Sequence, residues 1–186
     1  MQELEREFNF KLMKYFNELK KSMNYLAKNK KTIFIGQAVE VPGTSMSNTL
    51  KEINPNKLLE LPVAEELQMG ITTGLALNGS IPVSIFPRWN FLILAMNQLI
   101  NHLDKINIMS NNGYIVKTII RTAVGSQRPL HPQHQHVGDF TDQVKKMCTY
   151  ECLMGCFFMN LILSFDKFFL QFLLPERNTF LLSAFL

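Results

Sequence analysis

Cysteine is scarce in this chain: three residues, all beyond position 147. The opening Met1-Gln2-Glu3-Leu4-Glu5-Arg6-Glu7 is charged and has no apolar h-region, so a secretory leader and a disulfide framework are not expected. A reducing cytoplasmic compartment is the corresponding expectation. No charge of one sign dominates. Nineteen Lys and Arg stand against fifteen Asp and Glu, and the resulting +4 is too small to argue for nucleic acid. No apolar run reaches the roughly 20 residues of a spanning helix. The longest uncharged stretch is Cys152 to Phe165, and the next, Phe168 to Leu174, joins it only by carrying Asp166-Lys167 to membrane depth. A membrane role is therefore not expected. The chain also lacks GxGxxG, GxxxxGK, GxSxG and HExxH, which removes the motifs of dinucleotide, P-loop, serine-hydrolase and zincin chemistry. There is no internal repeat and no low-complexity linker.

What is present is uneven. At 186 residues and 47% apolar composition the chain can build one packed domain. From Cys148 onward, however, valine disappears and eight of the fifteen phenylalanines accumulate. Residues 1–146 read as an ordinary α/β sequence. Residues 147–186 read as a divergent, hydrophobic and helical tail, of the kind an altered reading frame or a truncated gene would append. Cys148, Cys152 and Cys156 step by four, which on a helix is a soft core stripe rather than a redox centre.

Within the first part, helices and strands alternate. Leu4, Phe8, Leu12, Phe16, Leu19, Met23 and Leu26 mark one helix face, closed by Lys28, Lys30 and Lys31. Thr32 to Gly36 reads as a buried strand, Val41 to Asn56 mostly as loop, and Leu58 to Leu61 as a short strand stopped by Pro62. Glu65 to Leu77 reads as a helix ended by Asn78-Gly79. Strand Ile81 to Phe86, a helix marked by Leu92, Met96, Leu99 and Leu103, a turn at 110–113 and a strand Tyr114 to Ile120 follow. Such alternation predicts βαβ units and a mostly parallel sheet flanked by helices.

Chemistry in such sheets gathers at the C-terminal ends of the strands. Three segments fall there: Pro62 to Glu66, Phe86 to Asn90, and Gly125 to Gly138. Glu65 opens a helix, where a carboxylate either caps free N–H groups or serves a site. Trp89, the only tryptophan, is either packing or a platform for a flat ligand. His131, His134 and His136 are a candidate acid/base or anion-binding loop, since imidazole titrates near neutrality. Without a Cys or carboxylate cluster at zinc-like spacing, beyond Asp139, no metal site is expected.

Taken together, these segments resemble the beta subunits of thiamine-diphosphate-dependent 2-oxo acid dehydrogenases, whose first half is a transketolase-like pyrimidine-binding domain. The likeness runs through Lys31 to Gly36, Leu61-Pro62-Val63-Ala64-Glu65, Gly70, Gly74, Asn78-Gly79 and Ile81-Pro82-Val83. It continues through Ala95 to Asn101, Met109-Ser110, Ile119-Ile120-Arg121 and Pro132-Gln133-His134.

The resemblance implies that Glu65 hydrogen-bonds the cofactor's N1′ from a protonated carboxyl, favouring the imino form that acts as the internal base. It implies that Trp89 stacks on the pyrimidine, where the family usually has phenylalanine or tyrosine. It implies that His134 lines the substrate channel, although Gln135 stands where serine is usual. The family's diphosphate and Mg2+ site lies on a partner alpha subunit carrying Gly-Asp-Gly, and here the only Gly-Asp is Gly138-Asp139-Phe140. Thiamine diphosphate would thus be shared with that partner, which would hold the Mg2+. The substrate would be a 2-oxo acid and the acceptor a lipoyl domain or a carbonyl compound. The alternative from another class is a catalytically silent fold remnant acting as an interaction or membrane-associated protein.

Overall fold

The computed structural model describes residues 2–125, 131–149, 153–157 and 179–185. Helix α1 (Gln2–Ala27) leads into β1 (Thr32–Gly36). The connection from β1 to β2 (Leu58–Glu60) holds a short turn of helix, α2 (Ser45–Asn48), closed by a capping box in which Thr44 and Ser47 exchange side-chain-to-backbone bonds, and a 3-10 turn Pro55–Lys57. Helix α3 (Glu65–Leu77) follows as the spacing predicts, then β3 (Ile81–Ile85). The expected helix after β3 is instead a broken helical path. It comprises α4 (Trp89–Ile93), a π-helical turn Gln98–His102, a 3-10 turn Leu103–Lys105 and α5 (Ile106–Met109).

Strand β4 (Thr118–Val124) lies four residues later than the apolar run Tyr114 to Ile120 suggests. Register explains the shift. β4 aligns Ile119 with Val83 and Arg121 with Ile85, so its buried stretch must extend past Arg121, whereas Tyr114 and Ile115 stay exposed. Helix α6 (Thr141–Met147) and strands β5 (Leu153–Phe157) and β6 (Thr179–Phe185) complete the described elements. The sheet has the order β2-β1-β3-β4-β6-β5, and every neighbouring pair is parallel.

The helical tail expected over 147–186 is therefore corrected where it is described. Residues 153–157 and 179–185 are strands. β6 pairs with β4 from Thr118↔Thr179 to Val124↔Phe185, and β5 pairs with β6 from Leu153↔Phe180 to Phe157↔Ala184. Both join the sheet of the first part. An unpaired β4 edge would expose a row of N–H and C=O groups, and an aromatic, Thr-containing segment is well suited to cover it. Most of Cys152 to Phe165, and all of Phe168 to Leu174, lie outside the described residues. The cysteine stripe is likewise not a helix face: Cys156 sits in β5 and Cys148 follows the end of α6.

Helices cover both faces of the sheet. On one face Tyr15, Leu19, Met23 and Leu26 of α1 pack on Phe34, Val83, Ile85 and Ile119. On the other, Met69 and Ala76 of α3, with Trp89, Leu92, Leu99 and Leu103, pack on Ile120 and Val124. Parallel sheets need such double cover. The buried stripe of α1 includes Tyr15 rather than the half-buried Phe16.

One charged group sits inside the α1 face. Arg121 is 0% exposed, flanked along β4 by Ile119 and Ala123 of that core. Its Nη1 donates to Thr49 Oγ1 at 2.8 Å, while Nε and Nη2 have no partner among the described residues. Burial lowers its pKa to about 10, with Tyr15 offsetting part of the effect, so it stays charged at neutral pH. An uncompensated buried charge is costly, and isosteric apolar replacement of buried ions is neutral to stabilising by about 1–4 kcal/mol. Arg121→Met is expected to keep or raise the midpoint of chemical denaturation. A large drop in that midpoint would refute the lack of compensation.

Candidate functional site

The three polar segments at the C-terminal edge of the sheet are held by a small number of buried contacts. β1 ends at Gly36, where a Cβ would lie 2.2 Å from the Ile85 carbonyl oxygen and 3.1 Å from Gln68 Nε2, at φ +153°. Only glycine allows this approach. Gln68, one turn into α3, donates through Nε2 to both Ser84 Oγ and the Ile85 carbonyl at 3.0 Å. Thr72, one turn further, donates to Ser84 Oγ and to the Gln68 carbonyl. The inner face of α3 is thus polar at Glu65, Gln68 and Thr72, and it is bolted to the end of β3.

Glu65 sits at the first position of α3, 4% exposed. Its Oε1 accepts from Gln37 Nε2 at 3.1 Å, and no other hydrogen bond reaches the carboxyl among the described residues. Ala64, the residue that would cap the helix, makes no side-chain cap bond. Glu65 itself therefore stands at the α3 N-terminus, a place that suits an acidic side chain, while one of its oxygens stays available. Capping and site roles do not exclude each other here.

The loop that carries Gln37 is fastened by Glu60, the last residue of β2. Glu60 Oε1 accepts from the Ala38 N–H at 2.7 Å, and Oε2 accepts from the Val39 and Glu40 N–H groups at 2.7 and 2.8 Å. Three consecutive amides converging on one carboxylate form an anion nest, and Ala38 adopts φ 56° to make it.

Trp89 is 1% exposed and belongs to the core on the α3 side. Phe140 meets its ring edge-on at a 6.4 Å centroid distance and 78°. Of the two readings of Trp89, packing is the one its burial favours, because no open ring face is left for a flat ligand. His134 is exposed in a short 3-10 turn, His134–His136, with the His131 ring edge-on at 5.8 Å. His136 is half-buried: its Nδ1 lies 3.1 Å from Asn90 Oδ1 and its carbonyl accepts from the Gly125 N–H at 3.0 Å. The structure therefore brings the histidine turn against the Arg88–Phe91 segment. Among the described residues no group of three His, Cys, Asp or Glu side chains could hold a metal ion.

Sequence reasoning reached Glu65, Trp89 and the histidine loop but missed Gln37, Glu60 and Gln68. For Gln68 a signal existed, since Glu65, Gln68 and Thr72 recur at helical spacing on a face that should be apolar. For Gln37 and Glu60 there was none, because their partners lie across the sheet.

With this geometry in view, comparison with known proteins is informative. No family model matches the chain. Over 124 residues, 64% of its length, it is 28% identical to the pyruvate dehydrogenase E1 component subunit beta of Gracilaria tenuistipitata var. liui, covering 38% of that protein. Over 87 residues, 47% of its length, it is 32% identical to the mitochondrial subunit of the same name from Pisum sativum, covering 24% of it. The mitochondrial subunit of Ascaris suum is 28% identical over 108 residues, 55% of this chain and 29% of that one. Among solved structures, a split gene transketolase described as an inactive beta4 tetramer superposes with TM-score 0.57 at 15% identity, over 90% of this chain and 50% of that chain.

The fold is thus transketolase-like α/β, with a parallel sheet between helical layers. The chain is similar over the matched part to curated pyruvate dehydrogenase E1 component beta subunits, and it spans less than two fifths of the length of those relatives. Among the described residues no helix is long and apolar enough to cross a membrane.

The Glu60 nest generates a test. Glu60→Gln removes the carboxylate charge and turns one oxygen into an amide donor, so all three N–H contacts lose their charge assistance and at least one loses its acceptor. Hydrogen exchange at amides 38–40 should accelerate by at least about tenfold, matching the 1.5–3 kcal/mol typical of such bonds. Unchanged protection at those amides would show that the nest does not hold the loop.

Proposed function

We propose that the chain is a beta-type subunit of a thiamine-diphosphate-dependent enzyme of the 2-oxo acid dehydrogenase or transketolase-like class. In this reading it supplies Glu65 to a cofactor shared with an alpha subunit. The observation that carries the proposal is the Glu65 carboxyl: buried, at the C-terminal edge of a parallel sheet, held on Oε1 by Gln37 and with no hydrogen bond to its other oxygen among the described residues. A carboxyl so placed fits a ring nitrogen as hydrogen-bond partner, which is the contact the cofactor's N1′ requires. When bound, the cofactor would supply a nucleophilic carbon and an electron sink for the decarboxylation of a 2-oxo acid.

This chain's own residues have simpler duties. Gln37 donates to Oε1, so a proton carried by Glu65 is directed to Oε2, the oxygen left to face the ring nitrogen. The Gln68–Ser84–Thr72 cluster fixes the first turn of α3 and so the position of that carboxyl. Glu60 holds the Gln37 loop against it. Trp89 is assigned to the wall behind the site, where it packs the α4 segment against β4, in place of the stacking role the resemblance implies. His134, exposed on its turn, is assigned to the substrate side. The Mg2+ and diphosphate are assigned to the alpha subunit, and a lipoyl domain is one candidate acceptor.

A partner surface is also available on α3. Val63 and Leu67 are exposed, and beside Gly70 and Gly74 nothing lies within 4 Å of where a Cβ would stand. A second chain could therefore approach this helix closely.

Two outcomes are expected. By calorimetry with Mg2+ present, the chain alone should bind thiamine diphosphate weakly or not at all, and tight binding would overturn the shared site. In a complex reconstituted with its alpha subunit, Glu65→Gln should lower turnover by about 10²-fold or more, the scale of lost acid–base assistance. Assembly, followed by sedimentation, should be unaffected. Normal turnover in that variant would leave Glu65 with only its helix-capping role.

A further inference from the structure

At the mouth of β3 and β4 stands a second polar group that the Glu65 chemistry does not use. Arg88 precedes α4, and its Nη1 is buried without a hydrogen-bond partner. The ion pairs among the described residues are Lys20–Glu52, Lys21–Glu18 and Lys105–Asp104, and none involves Arg88. The nearest carboxylate in sequence on the facing loop, Asp139, is engaged by the Thr141 N–H and hydroxyl.

The guanidinium occupies a prepared place. At Gly125, just past the end of β4, a Cβ would lie 2.6 Å from Arg88 Nη1, 2.3 Å from the His136 carbonyl oxygen and 3.1 Å from the Pro132 ring. The absent side chain of Gly125 is what lets Arg88 lie under the histidine turn. That turn is in turn fixed by the Gly125–His136 backbone bond and by Asn90 on His136. A guanidinium is a planar fork suited to an oxyanion. Here an orphaned buried N–H faces the loop that carries three imidazoles, with no described counter-charge.

We propose that Arg88 is the oxyanion receptor of this site and that it recognises the carboxylate of the 2-oxo acid substrate. This assignment takes the site to be the one proposed above. Glu65 follows β2 and leans on the β1 end, whereas Arg88 lies between β3 and β4, so the two are separated by about 10 Å, two strand spacings. That is room for a small substrate between a group serving the cofactor and a group holding a carboxylate. His134 and His131, exposed on the turn above, would flank the same anion.

The test needs neither cofactor nor partner. The full chain, labelled with 15N at arginine, is titrated with pyruvate, with inorganic phosphate and with chloride at matched ionic strength, following the arginine Nε–H resonances. Pyruvate should shift the Arg88 resonance saturably, and chloride should not. In Arg88→Gln the histidine ring signals should show at least a tenfold weaker pyruvate response, and Arg88→Lys, which keeps the charge without the fork, should recover little of it. Gly125→Ala, whose Cβ would displace Nη1, gives a second perturbation that leaves Arg88 in place and should weaken pyruvate binding as well. Glu65→Gln should titrate like the unaltered chain, so the loss of the Glu65 reading and the loss of this one are told apart. Equal pyruvate response in Arg88→Gln, a response to chloride as strong as to pyruvate, or tighter binding of phosphate than of pyruvate would each overturn the assignment.

Discussion

One side-chain amide fixes the functional end of this domain. Gln68 reaches from α3 to the last residues of β3, where it donates at once to a hydroxyl and to a main-chain carbonyl. The same Ile85 carbonyl is the atom that forbids any side chain at Gly36. Three elements, β1, β3 and α3, therefore meet at one polar point in an otherwise apolar layer. Buried hydrogen bonds of this kind contribute modestly when made and cost more when broken, so the meeting point tolerates little displacement. Glu65 is three residues before Gln68 on the same helix face, and its place follows from that of the amide.

The consequences run outward along the sheet edge. Because β1 stops against β3, the chain must turn sharply after Gly36, and Gln37 is delivered to the Glu65 carboxyl. The turn needs three amides in one direction, and Glu60 at the end of β2 answers them. On the far side, Arg88 after β3 and the histidine turn after β4 come together, with Gly125 as the point of close approach. Two acidic side chains thus lie at the β1–β2 side of the edge, and a guanidinium with the histidine turn lies at the β3–β4 side.

Arg121 shows the opposite economy. It shares β4 with the site-bearing edge, yet its guanidinium lies in the α1 core, where Thr49 is the one acceptor it meets among the described residues. Dielectric cost in that setting is large. The Thr49 bond ties the long β1–β2 connection down onto the sheet, and this is the gain visible against that cost.

Several elements were legible in the sequence because their causes are local. Thr32–Gly36 and Ile81–Ile85 are short apolar runs closed by turn residues, and Glu65–Leu77 ends at an Asn-Gly pair that stops a helix by its own backbone preferences. The parallel α/β class, the carboxylate at the head of α3 and the histidine loop after β4 follow from such local signals and their order. Elsewhere the outcome depended on partners distant in sequence. The displaced start of β4 was decided by register with β3. The strands at 153–157 and 179–185 were decided by the open edge of β4, which offers hydrogen bonds that a solitary helix does not need. The burial of Trp89, the Gln37–Glu65 contact and the orphaned N–H of Arg88 depend on which strand ends lie side by side. That adjacency is created only when the sheet closes, so the sequence by itself determined which groups this domain carries, and the tertiary structure alone decided which of them meet.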